Sequence, residues 1–166
     1  TAAAATRKTH EANSDLIKGF VWLATLDQRT SSPCRIRDHK QYDKAHKPIG
    51  HSYPWGAGPG SLHWNCRSKS TPILKSLKEI TGLDIEDFEI DERASMDGVV
   101  PGATDYATWI KKQSAARQDD VLGKSRAELL RKGDLSLADL YSAKGSPLTL
   151  DQLRERHAAA FRKAGL

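Results

Sequence analysis

Hydrophobic and polar positions change their pattern several times along the chain. Residues 1–17 are rich in alanine with scattered polar positions, which predicts the end of a helix broken at Gly19. "FVWLATL", residues 20–26, is a compact run of β-branched, aromatic and aliphatic residues and predicts a buried strand. From Asp27 to Thr71 no period survives: Pro33, Pro48, Pro54 and Pro59, with Gly50, Gly56, Gly58 and Gly60, forbid long regular elements. A loop stretch this long inside a domain is usually functional or held by a cross-link. "TPILKSLKEI", residues 71–80, reads as a short strand leading into a helical turn.

Beyond an acidic stretch the pattern becomes helical. Thr104 or Asp105 can cap a helix whose Tyr106, Trp109 and Ile110 share one face. Gly123 stops the segment "SAARQDDVL", Gly133 ends "SRAELLRKG", and "SLADLYSAKG" predicts one more helix. The last helix pairs Thr149 with Gln152 in a capping box. Its apolar stripe runs through Leu150, Leu153, His157, Ala160, Phe161 and Ala164 to a stop at Gly165. The expected class is α+β: a small irregular β core with long loops, which a zinc ion could tie, followed by a helical C-terminal segment. The expected division is a basic core over 1–83, an acidic connector over 84–103 and the helical segment over 104–166, whose apolar faces would serve as scaffold or docking surface.

Charge sharpens this division. The chain has 166 residues and a net charge of +5, and residues 1–83 hold thirteen Lys and Arg against six Asp and Glu. Residues 84–166 hold thirteen against fifteen, six of those acids falling between Asp84 and Glu92. Five of the six histidines and both cysteines also lie before residue 84, so chemistry or polyanion contact is to be sought there. No run approaches the roughly 18 apolar residues a membrane helix needs. Two cysteines are too few for a disulfide scaffold and point to synthesis in a reducing compartment. The chain opens without Met and inside a helical pattern, as a piece of a longer protein would.

The loop region holds the candidate chemistry. Cys34, His63 and Cys66 supply thiolate and imidazole, and the H-x-x-C spacing lets two of them converge on one tetrahedral Zn²⁺, with a fourth ligand from His39, His46, His51 or Asp38. The same residues also fit a tightly packed turn with small buried cysteines, or a Cys34–Cys66 disulfide formed after release to an oxidising exterior. "RDHKQYDKAH" followed by "HWNCRSKS" faintly suggests a ββα-metal nuclease centred on His39, His51 and His63, but Gly and Pro fill the interval where its frame would be. Polyanion contact is the more economical reading. Arg29, Arg35, Arg37, Lys40, Arg67 and Lys69 would neutralise phosphates of double-stranded DNA without sequence preference. Lys44 and Lys47 lie alongside, with Tyr42, Tyr53, Trp55 and Trp64 interleaved to stack on bases or to pack.

Two sequence blocks carry a family resemblance: Trp22, Thr25, Asp27, Arg29 and Thr30 followed by Cys34, and His63, Asn65, Cys66 and Arg67. Together with "DYATWIKKQ" and "VLGKSR" in the helical tail, they resemble the phage Mu F-like minor head proteins, also called phage head morphogenesis proteins, from about residue 13 to the C-terminus. Many members have Gly after the aspartate and a second Cys after the arginine, where this chain has His39 and Ser68; the missing Cys weakens any four-ligand site built from the motif alone. The resemblance implies a minor component of a tailed-phage head, present in few copies. It would be assembled in the bacterial cytoplasm, reside in the virion, and associate with portal or capsid protein and the packaged genome.

Overall fold

The first half is organised around β1 (Ile17–Leu23), in a computed structural model that describes residues 2–84 and 91–166. Alternation along β1 turns Trp22 fully inward, and antiparallel partners flank it: β2 (Gln41–Asp43) on one side and β4 (Lys69–Leu74) on the other. A two-residue β3 (Pro48–Ile49) pairs with β2, so the sheet runs β3-β2-β1-β4. The helix expected over 1–17 is α1 (Ala2–Ala12), and the strand begins earlier than its hydrophobic run suggests. Gly19 is therefore inside the strand, where the register with β4 shifts and where a Cβ would lie 2.3 Å from the Tyr42 carbonyl oxygen. It admits a neighbouring backbone rather than stopping a helix.

The segment between β1 and β4 holds only short elements, as its prolines and glycines require: α2 (Ser32–Arg35), β2 and β3. After β4 comes α3 (Leu77–Thr81), begun by a reciprocal Ser76–Glu79 capping box and ended at Gly82 with φ 74°.

The stretch expected as a connector contains a β-hairpin, β5 (Glu92–Ser95) and β6 (Gly98–Pro101), while residues 85–90 lie outside the described residues. The Met96 amide donates to the Leu26 carbonyl at 2.9 Å, fastening the hairpin to the end of the first half. Arg93 then reaches inward, donating to Asp38 at 3.0 Å, to the Thr104 carbonyl at 2.8 Å and to the Ala24 carbonyl at 2.5 Å. Asp38 also accepts the amides of Ala24 and Tyr106, each at 2.7 Å. Burial raises the Asp38 carboxyl above the usual carboxylate range, with Arg93 and the Ala24 amide opposing it. So linked, Asp38 joins the sheet, the hairpin and the first C-terminal helix at one point.

The helices are α4 (Tyr106–Lys111), α5 (Ala115–Leu122), α6 (Lys124–Arg131), α7 (Leu150–Arg156) and α8 (Ala158–Ala164). Asp105 is the cap of α4, accepting the Thr108 amide at 2.8 Å. "SLADLYSAKG" forms only a 3-10 turn over Ala138–Leu140, followed by a bridge between Tyr141 and Pro147. The single last helix divides at His157, whose backbone leaves the helical region at φ −132° and ψ 43°. Leu150 is thereby left partly in solvent while Leu153, Phe161 and Ala164 are buried. Tyr106, Trp109, Ile110, Leu153 and Phe161 share one core with Leu26 and Ile36 of the first half, so the helix faces expected to dock partners face inward. Trp22, Ala24, Cys34 and Tyr42 form a second, smaller core. Among the described residues no helix is long and apolar enough to cross a membrane.

Candidate metal centre

Cys34 comes from the short helix α2, whose first turn is fixed by Pro33. His63 and Cys66 come from a tight turn closed by the Cys66 amide donating to the His63 carbonyl at 3.2 Å, with Asn65 in the left-handed region at φ 56°. The turn brings His63 Nε2 to 3.1 Å and Cys66 Sγ to 3.6 Å from Cys34 Sγ. For a tetrahedral zinc with Zn–S of about 2.3 Å and Zn–N of about 2.05 Å, the ligand–ligand edges are about 3.8 Å for S···S and about 3.5 Å for S···N. All three ligand atoms lie within 4.8 Å of one another, and the group can hold a metal ion.

The surroundings suit that use. His63 Nδ1 lies 2.8 Å from the Trp64 carbonyl oxygen, so it is the ring's N–H donor and Nε2 presents a lone pair toward the sulfurs. Ser31 Oγ lies 2.6 Å from the same Nε2. Burial pushes the Cys34 thiol up, against the lowering hydrogen bonds of Ser68 and Ser31. At Cys66 burial also raises the pKa, but the Ser68 and Gly60 amides and the Cys34 and Ser68 side chains outweigh it, so the net direction is down. A cation bound here would favour the thiolate form of both sulfurs.

The fourth-ligand candidates lie elsewhere. Asp38 is committed to Arg93 and two amides, His51 Nε2 sits 2.9 Å from the Gln41 carbonyl oxygen, and His46 stacks on Trp55 at 4.4 Å between ring centroids. His39 sits outside the group, with its Nε2 buried. Among the described residues, Cys34, His63 and Cys66 are the one group of three His, Cys or carboxylate side chains whose ligand atoms converge, and neither His39 nor His51 is a member of it. Two hydroxyl side chains, Ser31, which the sequence did not single out, and buried Ser68, which stands where the resemblance expects a second Cys, adjoin the group. The sequence signal for Ser31 is only its position, three residues before Cys34.

Two of the cations expected on phosphate are spent inside the protein. Buried Arg37 donates to the carbonyls of Pro54 at 2.9 Å, Pro33 at 2.7 Å and Lys144 at 3.3 Å. Arg35 donates to the carbonyls of Thr30 at 2.6 Å and Val121 at 2.9 Å, its guanidinium over the Tyr106 ring. Arg67 forms a bidentate pair with Asp27, at 2.5 and 2.9 Å. Burial raises the Asp27 pKa, but Arg67, Thr30 and the Arg29 amide hold it below the usual value. Arg29 and Lys69 are exposed, Lys40 is half-buried, and Trp64 stands 96% exposed at the tip of the metal-centre turn. Searches of protein-family models, curated proteins and solved structures find no significant match to this chain.

Proposed function

We propose that this chain is a zinc-tied, non-enzymatic module of the Mu F-like minor head protein class. In this reading it works in the phage head by binding double-stranded DNA without sequence preference beside portal or capsid protein. The observation that carries the reading is that the two sequence blocks bearing the family resemblance meet in space. Cys34 of the first faces His63 and Cys66 of the second, and Asp27 of the first is paired to Arg67 of the second. Zinc would be held by Cys34, His63 and Cys66 and would supply a cross-link that orders the loop, since binding to a folded site is folding free energy. Of the six expected cations, Arg29 and Lys69 are exposed, Lys40 is half-buried and exposed Arg67 is paired to Asp27, so DNA contact is assigned to Arg29, Lys40 and Lys69. Protein docking falls to exposed Leu74, Ile80, Leu83 and Val99 rather than to the inward helix faces.

The test is metal analysis of the purified chain combined with duplex binding at several salt concentrations. Roughly one zinc per chain is expected, lost in His63→Ala. Three phosphate contacts give a slope of log K against log salt of about −2.7. A salt-insensitive duplex interaction would remove the electrostatic mechanism. Metal-dependent plasmid nicking abolished by His63→Ala would replace the module with a nuclease.

A further inference from the structure

Between α1 and the sheet runs an open-sided groove that neither the metal centre nor the duplex-binding cations account for. One part, of about 240 Å³, is lined by Phe20, His46, Trp55 and Lys44 among others, and the next, of about 550 Å³, by Trp55, Arg67, Ser68 and Lys69 among others. Arg7, Trp55 and Ser70 line both parts, which makes them continuous. Arg7 Nη2 donates to Ser61 Oγ at 2.9 Å, holding the helix across to the 58–61 loop.

The lining alternates two kinds of chemistry. Its wall is aromatic: His46 lies parallel to Trp55 with 6° between ring planes, and Phe20 lies 6.0 Å from Trp55 and 5.2 Å from His10. Its cations are Arg7, Lys44, Arg67 and Lys69, against the single acid Glu11. Lys44 donates to the neutral carbonyl of Ser14, which leaves its charge available, and Lys69 is exposed on the outer strand β4. Ser70, which lines both parts, adds a hydroxyl beside Lys69.

We infer that this groove binds single-stranded nucleic acid, with phosphates on Lys44 and Lys69 and a base against the Trp55–Phe20 wall. A duplex keeps its bases stacked inside and offers only phosphates to a convex basic surface; a single strand offers both a charged backbone and open ring faces, the two things this groove provides together. The groove borders the metal centre, since Cys66 lines its larger part, but the cations and rings assigned to the strand are not metal ligands, and only Lys69 is shared with the duplex-contacting set.

The test is fluorescence anisotropy of a labelled oligothymidylate of about 10 nucleotides, with an equally long duplex measured alongside. The wild-type chain is compared with Lys44→Glu/Lys69→Glu and with the charge-matched Lys112→Glu/Lys124→Glu on the helices, each checked for an unchanged thermal melt. The groove pair should weaken oligothymidylate binding by about tenfold or more and flatten its salt slope by about 0.7 per lost contact. The helix pair should leave binding unchanged, and wild-type tryptophan emission should change on binding. The inference is overturned if oligothymidylate does not bind, if the groove pair binds it normally, or if both pairs weaken it equally. Duplex binding that survives through Arg29 and Lys40 in the groove pair would keep the duplex reading standing whatever becomes of the groove.

Discussion

At His39 the backbone enters the left-handed region, φ 59°, between an amide that donates to the Trp22 carbonyl at 2.8 Å and the buried carboxylate of Asp38. A side chain there costs about 1 kcal/mol relative to glycine, and this one also buries a ring nitrogen, Nε2, without a hydrogen-bond partner. His39→Gly is therefore expected to raise stability by about 0.5–1 kcal/mol in urea unfolding, after the extra freedom it gives the unfolded chain is subtracted. A loss of stability would mean that ring packing outweighs the strain. The neighbouring Asp38 was visible in the sequence only as a spare metal ligand. Its actual partner, Arg93, lies 55 positions away, a separation no local pattern bridges.

At the scale of elements, local sequence signals hold where the interactions themselves are local. Thr149 and Gln152 form the reciprocal cap of α7, Asp105 caps α4, and Gly123 divides α5 from α6. Signals failed where a distant neighbour overrides propensity. Gly19, a helix stop by local rules, sits in β1 because Tyr42 needs the space its missing Cβ leaves. Gly19→Ala should accordingly cost about 2–3 kcal/mol and separate β1 from β2, with faster amide exchange confined to Gln41–Asp43 and its partners. Stability within about 0.5 kcal/mol of wild type would show that the strands can part without penalty. The hairpin β5–β6 leaves little trace in the sequence because its strands are short and mostly exposed, so acidity dominates the pattern of 84–103. The long last helix looked continuous because its apolar spacing survives the break at His157.

Across the whole molecule, the histidines of the basic half set a pH dependence. Burial is the largest influence on His39, His46 and His51 and lowers all three below the ordinary value of 6.5. Asp43 raises His46 while Arg7 lowers it, and the Gln41 carbonyl raises His51 while Lys40 and Arg37 lower it. Between the folded pKa values and 6.5 the unfolded chain binds more protons than the folded one, so this contribution is complete above about pH 6.5 and is lost as pH falls through the folded values. Thermal midpoints should decline on acidification from pH 6.5, well before the Asp27–Arg67 pair is lost through protonation of Asp27 below its ordinary value of 3.8. The decline should flatten in His46→Gln and His51→Gln. An unchanged slope in both variants would assign the acid sensitivity to other groups.

The sequence by itself determined the α+β class, the position of the loop region, the helix caps and the closeness of His63 and Cys66 through their H-x-x-C spacing. Residue type, short spacing and period carry all of these. The arrival of Cys34 beside His63 and Cys66, from 29 positions before His63, is a tertiary outcome. Only the tertiary structure decided which cations face water, that Asp38 belongs to Arg93 rather than to a metal, that serine hydroxyls flank the thiols, and that α1 and the sheet enclose an aromatic and basic groove. Each of those depends on which buried polar group found a partner and which side chain was left outside, and chain folding settles that between residues tens of positions apart.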